Sequence, residues 1–159
     1  MNSGQPLTDQ TLSLDHWLSY IQEVHPVAAT TILVAGTNGK GSTCEYLERF
    51  AMANGLSVGK STSPHIHQFN ERIAIDGVPV PDQSIVRAFQ EIESARKEIT
   101  LTYFEFATLA SLFLFCEQKV DVAILEVGLG GRLDAMNIVD PDLTIITHIS
   151  LDHQDWLGN

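Results

Sequence analysis

At 159 residues the chain is long enough for one domain with a sizeable core and too short for two ordinary ones. Nine basic residues against twenty acidic ones give a net charge of −11, which argues against a nucleic-acid-binding surface and requires any anionic ligand to be held locally, with Lys40, Arg72, Arg132 and helix N-termini as the candidates. The N-terminal MNSGQPLTDQ has neither a positive leader nor an apolar segment, and the longest apolar run, 106–116, is too short to span a bilayer, so a cytoplasmic protein with no membrane partner is expected.

In chain order, Ser13 is placed to cap a helix in which Leu14, Trp17, Leu18, Ile21 and Val24 recur at helical spacing, ended by His25-Pro26. Thr31 to Ala35 (TILVA) reads as a short buried strand, and Thr43 to Asn54 as a helix with Leu47, Phe50 and Ala51 on one face, stopped by Asn54-Gly55. Between them, Gly36, Thr37, Asn38, Gly39, Lys40, Gly41, Ser42 and Thr43 form a glycine-rich strand-to-helix turn with one lysine. Backbone N–H groups and the positive helix end converge there on one anion site, a phosphate cradle. Lys40 is suited to the outer phosphates, and Ser42 or Thr43 to placing a hydroxyl on Mg²⁺. The spacing is G-x-x-G-K-G-S-T, not the usual G-x-x-x-x-G-K-[ST], and a plain βα turn with a surface lysine is the structural alternative.

Residues 56–61 read as a second strand forming a parallel pair with the first. After the polar and aromatic stretch 63–72, residues 72–75 and 78–80 flank Asp76-Gly77 as a small β-hairpin. A helix follows from Pro81-Asp82 to about Lys97, with Ile85, Ala88, Phe89 and Ile92 on one face, and a strongly apolar one from Leu101 to about Gln118. Val120 to Leu125 (VDVAIL) is a third buried strand ending on Glu126. The loop 128–134 leads to a fourth strand, 143–149, and then to Asp152-His153. Cys44 and Cys116 lack metal-type spacing and read as free packed thiols.

The polar groups that stand out, Lys40, Ser42, Ser63, Glu126, Asp152 and His153, all follow strands. In a parallel α/β sheet those positions share one edge, where ligands bind. Glu126 suits Mg²⁺ as a hard oxygen ligand, or it pairs with Arg132. Ser63 is a metal hydroxyl ligand or part of an ordinary Ser-Pro turn. His153 is a ligand or a hydrogen-bonded structural histidine. Glu105 caps its helix through the dipole or meets a ligand. His65, His67 and His148 carry only surface or packing roles.

On these residues the chain resembles the N-terminal, ATP-binding part of the folylpolyglutamate synthase / dihydrofolate synthase family, a branch of the Mur-type ligases. The resemblance rests on VAGTNGKGST (34–43), TSPHIHQFNERI (62–73), LTYFEFATLA (101–110), LEVGLGGRLDAMN (125–137) and ITHISLDHQDWLG (146–158), in the family's order. It implies an α/β fold with a P-loop-type, mainly parallel sheet flanked by helices, like a Mur ligase central domain, and a small β-hairpin. It implies that Gly39 to Ser42 hold ATP phosphates, that Ser63, Glu126 and His153 bind Mg²⁺ alongside Ser42, and that Lys40, Glu126 and His153 serve catalysis. The folate or dihydropteroate side would use Thr102, Tyr103, Phe104 and Glu105 with Arg132, Leu133, Asp134 and Ala135. The implied reaction is ATP-dependent amide formation, in which the pterin substrate's carboxylate attacks the γ-phosphate and the amine of glutamate takes the acyl phosphate.

Against the family pattern, His25-Pro26 leads almost directly to Thr31 where a pterin-contacting stretch is usual, and Met136 replaces a threonine. The chain ends at Asn159, before the family's carbamylated lysine. The resemblance therefore implies one ATP-binding domain over 1–159, truncated at its C-terminal end and without the C-terminal ligase domain, inactive alone and monomeric in its full-length form. A muramyl-peptide ligase and a nucleotide-binding module without turnover are the alternatives; the LTYFE and GLGGRLDA blocks favour folate over the former.

Overall fold

The computed structural model describes residues 27–150, so the helix expected over 13–24 and the Asp152-His153 pair lie outside the described residues. The elements are β1 (Thr30–Ala35), α1 (Lys40–Ala53), β2 (Val58–Ser61), β3 (Ile73–Ile75), β4 (Val78–Pro79), α2 (Asp82–Arg96), α3 (Tyr103–Gln118), β5 (Val122–Glu126) and β6 (Leu143–Ile146), with 3-10 turns at Phe69–Arg72 and Ala135–Ile138. They build one six-stranded sheet in the order β4-β3-β2-β5-β1-β6. Strands β2, β5, β1 and β6 run parallel, and the β3–β4 hairpin adds an antiparallel edge. The expected fold class is the one observed.

β1 and β2 are parallel but are not the adjacent pair expected from strand–helix–strand order, because β5 inserts between them. The reason is burial: all five residues of β5 are inside, which only a central strand covered on both faces permits. Side chains alternate across the sheet. Val34, Val58, Val122 and Ile124 pack with Cys44, Leu47 and Ala51 under α1. Leu33, Ala123 and Leu125 pack with Ile85, Ala88 and Ile92 of α2 and with Leu109, Leu112 and Phe115 of α3. Truncating Ile124 or Leu125 to alanine in such a core costs about 2–5 kcal/mol. The same period of two puts Glu126 on the α1 face, two residues beyond Ile124.

Helix α1 starts at Lys40, three residues earlier than expected, so Lys40, Gly41 and Ser42 lie in its first turn. Gly39 precedes it with φ of 85°, a left-handed turn into the helix that favours glycine. Phe50 is not on the buried face as the apolar pattern suggested: it is 67% exposed, and Glu48 takes the inward position. Glu48 is tolerated there because the Lys60 ammonium from β2 binds one carboxylate oxygen and the Gly77 N–H donates to the other at 3.1 Å. Burial acts to lower the Lys60 pKa, and the hydrogen bonds it donates to Glu45 and Glu48 outweigh it, holding the ammonium above its usual range.

The hairpin turn has Asp76 and Gly77 at φ of 50° and 76°, the geometry expected of Asp-Gly. α3 is the buried apolar helix that its composition requires, and both cysteines are free and buried. No helix among the described residues is long and apolar enough to cross a membrane. β6 ends at Ile146 and does not run to Ile149, because Thr147 turns toward the glycine loop.

Candidate functional site

The loop after β1 is fixed from the side by the segment after β6. The Thr147 N–H donates to Ala35 O at 2.9 Å, the Thr147 hydroxyl to Asn38 O at 2.7 Å, and the Thr37 N–H to His148 O at 2.6 Å. The Thr37 hydroxyl donates to Ser150 O and accepts from Ser150 N–H, both at 3.0 Å. These contacts come from the segment after β6, more than 100 residues downstream, and brace the loop from outside α1. Nothing in a linear motif signals them; sequence reasoning passed over Thr147 and Ser150 and gave His148 only a surface or packing role.

Within the cradle, Asn38, Gly39, Gly41 and Ser42 are exposed, which leaves the first turn of α1 open. The Thr43 hydroxyl donates back to Gly39 O at 2.9 Å, so it serves the turn, and Ser42 is the freer hydroxyl of the two for a metal. Lys40 Nζ reaches Gly36 O at 2.8 Å and Thr37 O at 3.4 Å, lying over the loop.

Glu126 closes the far side. The residue is 4% exposed, both carboxylate oxygens stand 3.9 Å from where a Cβ of Gly41 would be, and Oε2 accepts the Ser63 N–H at 3.0 Å. The pairing with Arg132 does not form. Burial pushes the Glu126 carboxyl above its usual range, against the opposing pull of the Ser63 N–H and the Lys40 charge. Lys40, Gly41, Ser63 and Glu126 therefore meet at one place, as expected of residues at the carboxyl ends of parallel strands. The acidic and hydroxyl oxygens suit Mg²⁺, a hard cation that takes one or two protein carboxylates and completes its shell with phosphate and water. No group of three or more His, Cys, Asp and Glu side chains that could form an all-protein metal cage occurs among the described residues. His153 lies outside them.

The two blocks assigned to the acceptor side are largely structural. Thr102 and Glu105 form a reciprocal capping box: Thr102 N–H donates to Glu105 Oε2 at 2.5 Å, and Glu105 N–H to the Thr102 hydroxyl at 3.3 Å. Glu105 is thus the cap, and its carboxylate is engaged. The Phe104 ring packs on Gly128, one of its atoms 2.6 Å from a would-be Cβ. Asp134 accepts from the N–H groups of Gly128, Leu129 and Met136 at 2.9–3.0 Å, holding the loop to the 3-10 turn, and Ala135 packs against the core. Burial raises the Asp134 pKa against those three N–H groups and Lys40. Tyr103, Arg132 and Leu133 are exposed. A cavity of about 550 Å³ between α2 and α3, lined by Val86, Phe89, Gln90, Glu93, Ser94 and Phe106, contains none of these residues.

A parallel sheet with a glycine loop opening a helix at its carboxyl edge, faced by an acidic strand end, defines a nucleotide-binding α/β domain of the P-loop type. The chain belongs to the Mur ligase middle domain family, whose family model matches residues 34–159. It is 48% identical to the dihydrofolate synthase/folylpolyglutamate synthase of Escherichia coli strain K12, over 91% of this chain and 39% of that protein. The structure of E. coli FolC in complex with ADP, without folate substrate, superposes with a TM-score of 0.87 at 49% identity, covering 94% of this chain and 36% of that one. A bifunctional folylpolyglutamate synthase/dihydrofolate synthase with Mn, AMPPNP and L-glutamate bound gives a TM-score of 0.87 at 46% identity, over 99% and 38%. The chain spans about two fifths of the length of such curated relatives as the E. coli protein.

Proposed function

We propose that this chain is the ATP-binding domain of a ligase that joins L-glutamate to dihydropteroate, to folates, or to both, through an acyl phosphate. The observation that carries the reading is the convergence of Lys40, the open first turn of α1, Ser63 and Glu126 at one sheet edge, in a chain about half identical to such a ligase.

In this reading residues 36–43 hold the ATP phosphates through backbone N–H groups, and Lys40 swings from the loop carbonyls to the outer phosphates. Ser42, Ser63 and Glu126, with His153, hold Mg²⁺, which when bound offsets charge on the phosphoryl oxygens. Buried Glu126 costs free energy while unpaired, so it is primed for a cation. The exposed residues Tyr103, Arg132 and Leu133 face the folate or pteroate, while Thr102, Phe104, Glu105, Asp134 and Ala135 act by fixing the loops that carry them. Catalysis is chiefly positioning. A further domain supplies the glutamate site, and the protein acts in the cytoplasm as a monomer.

The test is a product assay on the protein translated from the complete reading frame around this segment, given ATP, Mg²⁺, glutamate and either dihydropteroate or tetrahydrofolate. An amide product by mass spectrometry, lost in Lys40→Ala, is expected. Nucleotide binding without product from either acceptor would leave the module without turnover.

A further inference from the structure

Arg72 ends the 3-10 turn one register step beyond the Ser61–Ile73 pair, and its carbonyl accepts the Thr62 N–H at 3.0 Å. It therefore stands at the same sheet edge as Ser63. Its guanidinium carbon lies 5.5 Å from the Tyr103 ring centre and 5.9 Å from that of Phe69, and its Nε donates to His65 Nδ1 at 2.8 Å. The rings are themselves packed edge to face, Phe69 on Tyr103 at 5.7 Å and on His65 at 6.0 Å. The guanidinium plane is thus set by packing before any ligand arrives.

In a strongly acidic chain this arginine lacks a carboxylate partner among the described residues. Arg49, Arg87 and Arg96 pair with Glu45, Glu117 and Glu93. Arg72 forms no ion pair among the described residues, and the adjacent Glu71 is spent on the N–H groups of Ile66, His67 and Gln68. Because His65 accepts at Nδ1, its proton sits on Nε2. The two terminal nitrogens of Arg72, the His65 Nε2–H and the hydroxyl of Tyr103, which is 59% exposed, are donors that meet no acid among the described residues. A planar carboxylate matches the arginine fork.

We propose that Arg72, with His65 and Tyr103, binds a carboxylate of the acceptor substrate other than the one that is phosphorylated. This rests on the folate reading above. A carboxylate held by an arginine fork has its lone pairs engaged and is a poorer nucleophile toward phosphorus, so the site suits a spectator. Folate carries such a group on its glutamate tail, whereas pteroate has only the reacting one. The cluster would therefore select acceptors that already bear glutamate.

Folic acid, pteroic acid and Mg-AMPPNP should each be titrated into the protein translated from the complete reading frame around this segment and into its R72Q and R72K variants. Folic acid is expected to bind wild type at least about tenfold tighter than pteroic acid. R72Q should abolish that margin and leave pteroic acid and nucleotide affinities unchanged. R72K keeps the charge and stem but not the fork; it should lose part of the margin, and it decides the matter if R72Q lowers the melt. An unchanged margin in the folded variants, equal losses for both acceptors, or equal wild-type affinity for the two would overturn the proposal alone. Nucleotide binding with neither acceptor bound would overturn the folate reading with it.

Discussion

Glu126 is where burial and chemistry meet most directly. Folding raises its pKa, so the group contributes stability below its ordinary range and loses that contribution as pH climbs through the raised value. Glu126→Gln removes the cost while keeping the shape and the acceptor for Ser63. The melting difference between variant and wild type should therefore open in the variant's favour as pH climbs from the ordinary carboxylate range through the raised value. The Mg²⁺ concentration needed for nucleotide binding should rise at the same time. A melt that drops by many degrees at neutral pH with the Mg²⁺ response untouched would make Glu126 a structural residue. The position of this carboxylate was legible from the sequence as an acid ending an apolar strand. Its partner was not: Arg132, weighed as the alternative to a metal, lies six residues away in an exposed loop, while the observed donor, Ser63 N–H, comes from 63 residues upstream.

At the scale of elements, two substitutions separate scaffold from site. Thr102→Ala removes half of a capping box and should lower stability by about 1 kcal/mol in urea unfolding, with nucleotide affinity unchanged. A large change in nucleotide affinity would place Thr102 in the binding machinery. Lys60→Met strands Glu48, whose side chain is 2% exposed, and should cost about 3–5 kcal/mol, with the double variant carrying Glu48→Leu regaining most of it. No recovery would mean that the pair is not what anchors α1 to β2. The strands, helices and hairpin were readable because period, caps and Asp-Gly chemistry are local. Phe50 and Glu48 were not, since a buried carboxylate is acceptable only with a lysine from β2 and an N–H from the hairpin turn, and those partners are set by tertiary structure. The insertion of β5 between β1 and β2 escaped for the same reason, being a matter of sheet order and not of local pattern.

For the whole molecule, the proposed function rests on one edge, where residues 36–43, Ser63 and Glu126 stand together. The chain spans about two fifths of the length of curated ligases it resembles. Aligning an acyl phosphate with an incoming amine supplies roughly 7–11 kcal/mol of barrier reduction. The 159-residue chain alone is accordingly expected to form no amide with glutamate in a multiple-turnover assay, and steady product absent from a Lys40→Ala control would contradict the need for a further domain. The decisive experiment is a titration of a fluorescent ATP analogue with Mg²⁺ into the chain and into Lys40→Ala, with both melts recorded. The Lys40 hydrogen bonds go to the loop carbonyls of Gly36 and Thr37 and not to the core, so the melts should nearly coincide, while the variant's affinity should fall by about tenfold or more. Equal affinities in two equally folded proteins would contradict the phosphate site itself.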